Sequence, residues 1–294
     1  MSFYSIKDLE HLSGIKAHTL RIWEQRYNLV SPKRTDTNIR YYDDVDLKLI
    51  LNVSLLKDNG FKISNIAKMS VEQMKTEVIN ITEKSSKYAD QIQALTLAMI
   101  ELDEERFEKV VSTNTLQIGF EKTMIHVIYP FLTKIGYLWQ TGAISPSQEH
   151  FISHLIRQKI IVAMDGQVVT PTPQSKKFML YLPEGELHEI ALLFAAYLAK
   201  SRNHKVVYLG QSLPFEDLRE AYNIHKPDFV MTIITSVPNY DEVEAYVKKL
   251  SKAFEESKVV LSGYQVVAQD LDTDENVFIV KKIQDLIDLI ETVS

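Results

Sequence analysis

The spacing of apolar residues changes character along the chain, and each change predicts a different kind of element. In residues 1–78 the patterns are short. Ser5 followed by Asp8 has the form of a capping box, and Ile6, Leu9 and Leu12 make one apolar stripe up to a turn at Ser13-Gly14. A second short helix is predicted over Lys16–Tyr27, stopped at Ser31-Pro32. Lys33 to Asn38, ahead of β-prone Ile39-Arg40-Tyr41-Tyr42, predicts a basic two-stranded loop. Asp43 or Asp44 then caps a third helix carrying Val45, Leu49, Val53 and Leu56, closed by Asn59-Gly60.

Residues 79–169 read as helical throughout, which predicts a bundle of about four helices. Its clearest internal boundary is Ser145-Pro146-Ser147-Gln148, with Ser145 as N-cap, Pro146 as first helical residue and Gln148 as reciprocal partner; Gly142 suits the end of the helix before it. Thr170 to Lys177 has linker composition. From residue 170 to 294, five β-rich runs (178–182, 206–209, 229–235, 258–261, 277–280) alternate with helical patterns (190–201, 215–223, 241–254, 283–293). That alternation predicts a Rossmann-like doubly wound parallel sheet whose ligand site lies at the carboxyl ends of its strands. The fold class is therefore multidomain, α and α/β: a winged helix-turn-helix over 1–78, a four-helix bundle over 79–169 and a parallel α/β domain over 170–294.

Composition narrows the function classes. The 294 residues contain no cysteine, which removes thiolate catalysis, zinc fingers and iron–sulfur ligation. No signal-peptide pattern or membrane-length apolar run is present, so we expect a soluble cytoplasmic protein with no membrane partner. The net charge of −6 hides an asymmetry, because residues 1–70 hold 11 Lys/Arg against 8 Asp/Glu. If nucleic acid is the partner, the N-terminal segment makes the contacts.

Lys16, His18, Thr19, Arg21 and Arg26 lie on the second helix, and Lys33, Arg34, Arg40 and Tyr41 in or beside the wing. Such side chains bind phosphates and read base edges; a structural trihelical module with a solvated basic edge is the plainer reading. In the α/β domain, the turn after the first strand places His188 over the carboxyl edge, with Glu186 available to its other ring nitrogen. A carboxylate-held histidine is a good metal ligand, although a lone loop histidine is more often plain surface. Trp139 at one helix end and Glu149-His150 in the next helix's first turn can converge, or can be a core tryptophan and a dipole-stabilising acid. Asp43, Asp44 and Asp46 read as cap and solvated face, and His204 and His225 as surface. No Ser-His-Asp order, Walker loop or glycine fingerprint is present, so no enzyme is expected.

Several motifs recur together. Tyr4-Ser5-Ile6, Thr19-Leu20-Arg21-Ile22-Trp23-Glu24, Leu29-Val30-Ser31-Pro32, Arg40-Tyr41-Tyr42 and Leu56-Lys57-Asp58-Asn59-Gly60-Phe61 resemble the DNA-binding domain of MerR-type regulators. That resemblance implies near-palindromic double-stranded operator DNA bound by a symmetric homo-oligomer, a dimer or tetramer. Glu186-x-His188-x-x-Ala191, Tyr208-Leu209-Gly210, Thr235-Ser236 and Ser262-Gly263 resemble the cobalamin-binding domain of methyltransferases, mutases and light-responsive regulators. It implies His188 as lower axial ligand to cobalt, Glu186 as its orienting partner, Ser236 as a contact to the displaced nucleotide tail, and Ser262 with Gly263 as a close-approach turn. The family pattern has Asp, Gly and Gly where Glu186, Ala191 and Ser262 stand.

Trp139, nine intervening residues, then Glu149-His150 is similar to cobalamin-dependent MerR-type repressors of the CarH/LitR class. The implied roles are Trp139 as an apolar plate and Glu149 and His150 as partners of an adenosyl group. Gln140 stands where light-responsive relatives can carry a histidine. The resemblance as a whole implies a repressor governed by adenosylcobalamin and by light-driven cobalt–carbon cleavage. Two alternatives stay open: a regulator of the same architecture that acts without cobalamin or senses another ligand, and a corrinoid carrier protein, against which the basic wing argues.

Overall fold

The computed structural model describes residues 4–30, 32–34, 40–83, 88–140, 142–239 and 242–293. The chain divides into two compact units, Met1–Ile152 and Ser153–Ser294.

In the first unit, α1 (Ile6–Ser13) opens under Ser5, whose hydroxyl accepts the Asp8 N–H while the Asp8 carboxylate accepts the Ser5 N–H. Gly14, at φ 70°, ends it in the left-handed region that favours glycine. α2 (Ala17–Tyr27) follows and buries Leu20 and Trp23. β1 (Lys33–Arg34) and β2 (Arg40–Tyr41) pair antiparallel as the wing. Ser31, residues 35–39, and the Leu12 and Gln140 side chains lie outside what is described. α3 (Asp44–Asp58) is capped by the Asp43 carboxylate, which accepts the N–H groups of Val45 and Asp46. The expected stripe is buried only in its later part: Val53 and Leu56 are fully buried and Leu49 is half-buried, whereas Val45 is 72% exposed. Val45 shares their side of the helix but sits in its first turn, ahead of the part that packs.

α4 (Ile63–Ile66) and α5 (Val71–Glu83) lead to four helical rods. These are α6 (Ala89–Glu101), α7 (Glu104–Ile118), a rod built of α8 (Phe120–Thr123), a π turn and α9 (Tyr129–Gln140), and α10 (Pro146–Asp165). The π turn, Met124–Ile128, ends two residues before Pro130, which has no N–H for the carbonyl of His126, so the regular ladder is displaced there. Gly142 ends the rod at φ 67°, donating its N–H to the Trp139 carbonyl. Ser145 and Gln148 make the reciprocal cap of α10.

The second unit is a five-stranded sheet, all parallel, in the order β4-β3-β5-β6-β7. Its strands are β3 (Lys177–Pro183), β4 (Lys205–Leu213), β5 (Phe229–Ile233), β6 (Lys258–Ser262) and β7 (Val277–Ile279), with α11 (Ile190–Ser201), α12 (Phe215–His225), α13 (Val243–Ala253), α14 (Tyr264–Val267) and α15 (Ile283–Thr292) between and after them. Alternate strand residues Met179, Tyr181, Val230, Val259 and Leu261 join Leu218 of α12 and Val243, Val247 and Leu250 of α13 in one core. α11 packs on β3, β4, β5 and α15. It is apolar all round, and every residue from Leu192 to Ala199 is buried, the composition expected of an interior helix. The chain runs from β3 outward to β4 and then back across to β5, so the topological crevice opens at the carboxyl ends of β3 and β5.

His204 is not on the surface. It is fully buried beside Phe178, with ring centroids 5.1 Å apart. Its Nδ1 accepts the Lys176 N–H at 3.1 Å, and Nε2 faces the Ile290 carbonyl at 3.3 Å. Burial pushes its pKa below the ordinary value. α15 covers this strand start, which turns a peripheral position into core. His225 is exposed. Among the described residues no helix is long and apolar enough to cross a membrane.

Candidate functional site

The candidate residues of α2 and the wing rest on a head whose geometry is set by a few buried polar links. Tyr4 and Tyr42 exchange backbone hydrogen bonds at 2.8 and 2.9 Å, attaching the strand after the wing to the start of the chain. The Tyr42 ring is buried, and its hydroxyl donates to the Glu24 carboxylate on α2. Burial and then that carboxylate push the Tyr42 hydroxyl pKa well up, so it stays a donor. Trp23 fills the core behind them. Of the motif Arg21-Ile22-Trp23-Glu24, Trp23 and Glu24 therefore hold α2 in place, while Arg21 and Ile22 face solvent.

Lys16, His18, Arg21 and Arg26 are exposed on α2, and Thr19 is half-buried with its hydroxyl 3.3 Å from His18 Nε2. Lys16 pairs with Glu10 at 3.2 Å. Arg26 lies 5.6 Å from the Tyr27 ring centroid. On the wing, register places Arg34 directly opposite Arg40, and Lys33 opposite the half-buried Tyr41. Lys33 is engaged by the Asp43 carboxylate, which that contact and the Asp46 N–H hold down to about 2. The wing's outward cations are thus Arg34 and Arg40, while Lys33 ties the wing to the cap of α3.

The second constellation lies at the crevice of the α/β unit. The loop from β3 to α11 is held by β4: Gly185 donates its N–H to Ser212 Oγ at 3.0 Å, and Gln211 donates to the Leu187 carbonyl at 2.6 Å. Glu186 is fully buried within it. One carboxylate oxygen accepts the Leu187 and His188 N–H groups; the other accepts those of Thr235, Ser236 and Val237, at 2.7 to 3.2 Å, from the loop after β5. Burial alone would raise the Glu186 pKa, but the Ser236 N–H, the His188 ring and N–H, and the Val237 N–H outweigh it and hold the carboxyl at about 2. The carboxylate is therefore ionised and acceptor-only, so His188 Nδ1, 2.5 Å away, is the donor of that contact. A neutral imidazole with hydrogen on Nδ1 leaves the Nε2 lone pair for another partner, and the side chain is 61% exposed.

Ser236 Oγ also turns to Glu186, at 3.3 and 3.4 Å. Ser262 donates its hydroxyl to the Val280 carbonyl at 2.8 Å. Gly263 has φ 102°, and a Cβ there would lie 2.3 Å from the Ile234 carbonyl oxygen, so glycine is required by the protein's own crossing of the β5 and β6 loops. Beside His188, Glu189 is buried between Arg157 of α10, with which it forms an ion pair, and the Tyr208 hydroxyl at 2.9 Å. Neither Arg157 nor Ser212 shows a local sequence signal, because their partners lie far along the chain.

In the helical unit, Trp139 is 44% exposed at the end of α9. Glu149 and His150 stand side by side in the first turn of α10, with His150 Nδ1 3.0 Å from the Glu149 carboxylate and its side chain 71% exposed. His150 and His188 thus share one arrangement, a glutamate carboxylate beside Nδ1.

Residues 4–72 match the model of the MerR HTH family regulatory proteins, and residues 91–163 that of a B12 binding domain. The chain is a MerR-type regulator with a B12-binding domain. This regulator is homologous to the HTH-type transcriptional repressor CarH of Myxococcus xanthus, with 27% identity over 256 residues that span 85% of each chain. It is 24% identical over 260 residues to the repressor CarA of the same organism, covering 88% of this chain and 85% of that one. The monomethylamine corrinoid protein of Methanosarcina barkeri shares the fold, with TM-score 0.57 and 12% identity over 70% of this chain and all of its own. The MerR-type regulator therefore belongs with transcription factors and not with enzymes.

The residues present fit a B12 group where the metal is concerned. A cobalt ion takes a nitrogen donor, and His188 offers one with its tautomer already set by a buried carboxylate.

Proposed function

We propose that this chain is a one-component, cytoplasmic transcription repressor that binds operator DNA as a homo-oligomer, dimer or tetramer, under the control of bound adenosylcobalamin. The observation that carries the reading is the His188–Glu186 pair at the carboxyl edge of the sheet, which presents a donor nitrogen on a rigid loop. His188 would hold the cobalt through Nε2, with Glu186 as its positioning residue. Ser236, Ser262 and Gly263 are contacts to the nucleotide tail, and Trp139, Glu149 and His150 are contacts to the adenosyl group. When bound, adenosylcobalamin supplies a cobalt–carbon bond that light breaks, which would make the regulator a photoreceptor. Repression requires that the occupied and empty proteins differ in affinity for DNA, whatever the fate of the group. The repressor names of the two relatives and the B12 match support this reading.

A second reading, a regulator of the same architecture that uses no cobalamin, draws on Gly263, whose close approach is taken up by Ile234. A visible spectrum separates the two. Protein reconstituted with adenosylcobalamin in the dark and desalted should keep corrin absorption bands, which should change on illumination. His188→Ala should lose most of the bound corrin while keeping its helical circular dichroism. Colourless desalted wild-type protein would overturn the cobalamin reading, and bands unchanged by light would remove the photoreceptor.

A further inference from the structure

The outward face of α2 is polar except at one position. Lys16, His18, Arg21, Gln25 and Arg26 are exposed there, and among them Ile22 is 49% exposed. Its neighbours one turn away along the helix are His18, Thr19, Gln25 and Arg26, all polar or cationic. The position does not help the free protein. A β-branched residue is a poorer helix former than Ala or Leu, and the core side of α2 is served by Leu20 and Trp23.

A lone aliphatic group ringed by polar side chains is also unlike a protein interface, whose centre is a contiguous apolar patch depleted of charge. It does suit the edge of a DNA major groove. There the base pairs display hydrogen-bonding groups punctuated by one apolar group, the C5-methyl of thymine.

We propose that Ile22 is a specificity-determining residue that packs on a thymine C5-methyl in each operator half-site, between phosphate or base contacts made by Arg21 and Arg26. The inference rests on the reading of α2 as the helix that enters the major groove. Arg21 and Arg26 then supply affinity for any sequence, while Ile22 supplies preference at one base pair without adding charge. Removing one methyl from that contact should cost about three- to fivefold in affinity, the worth of one buried apolar carbon.

The test starts from duplexes selected by the full-length chain from a randomised library. Each thymine in the selected site is then replaced by uracil, which deletes the C5-methyl alone, and dissociation constants are measured at fixed salt. We expect one position per half-site at which uracil weakens wild-type binding about three- to fivefold. Ile22→Ala should bind the thymine site about that much more weakly, should no longer distinguish thymine from uracil there, and should keep the wild-type salt dependence. Ile22 is exposed, so circular dichroism of the variant should match the wild type. Wild-type affinity unchanged by uracil at every position would overturn the proposal and leave the DNA-binding reading standing. So would an Ile22→Ala variant that still discriminates fully. Failure to select any duplex would instead overturn the DNA-binding reading, and the proposal with it.

Discussion

Arg34 and Arg40 stand directly opposite one another on the two strands of the wing. Both are exposed, so an anion laid against the wing can be contacted by both guanidinium groups. A DNA phosphate is the anion this head would meet. Arg34→Ala should therefore weaken binding to every duplex alike, with the slope of log affinity against log salt reduced by about 1. Titrations at several salt concentrations check this. An unchanged slope would remove Arg34 from the phosphate contacts.

Glu186 sets the stability of the crevice loops. Replacing it with Gln puts an amide against N–H groups that need an acceptor, at a cost of about 2–4 kcal/mol. The pH dependence follows from the depressed pKa. The carboxyl is held at about 2 in the folded chain against an ordinary 4.5, so its contribution is complete above pH 4.5 and is lost as pH falls toward 2. The gap in unfolding free energy between wild type and Glu186→Gln should be constant from pH 7 to 5 and shrink below 4.5. Denaturant titrations would show it, and a gap that widened in acid would contradict the ionised carboxylate.

His204 predicts a second, separate pH effect. Its Nδ1 accepts the Lys176 N–H, so a proton on that nitrogen breaks the contact and charges a buried ring. With the folded pKa below the ordinary 6.5, the unfolded chain takes up the proton first, and stability falls as pH drops through 6.5. His204→Gln, which still offers one acceptor and one donor, should flatten that slope between pH 7 and 5.5. An identical slope in the variant would place its origin elsewhere.

Arg157 and Glu189 should behave as a coupled pair. Arg157→Ala strands a buried carboxylate with only the Tyr208 hydroxyl, which should cost about 1–3 kcal/mol, less than a fully buried pair because Arg157 is half-exposed. Adding Glu189→Gln should recover part of the loss. A double-mutant cycle on thermal unfolding measures the coupling, and strict additivity would show that the ion pair contributes nothing.

Much of this molecule was legible in the order of its residues because the deciding signals are local. Ser5 with Asp8, Asp43, and Ser145 with Gln148 are caps complete within four positions, and each one forms. The five strands are short apolar runs bounded by polar turns, so each was placed to within a few residues. What escaped depended on partners far along the chain. His204 is buried because α15 covers it, 86 residues away. Lys33 looked like a free wing cation until Asp43 came within reach. The pairing of His188 with Glu186 follows from adjacency, but the three N–H groups that fix the carboxylate come from residues 49 to 51 positions later, which no spacing rule shows.

The reach of Glu186 across two loops has a last consequence, for the entropy of binding. Its acceptor positions are filled by backbone N–H groups before any guest arrives, so the imidazole it carries is already aimed when the protein is empty. A guest that bonds to Nε2 need not order a floppy segment, and its affinity is not reduced by that cost. Loading and unloading would then leave this floor of the crevice unchanged, and the amides of Thr235, Ser236 and Val237 should exchange hydrogen slowly in both states.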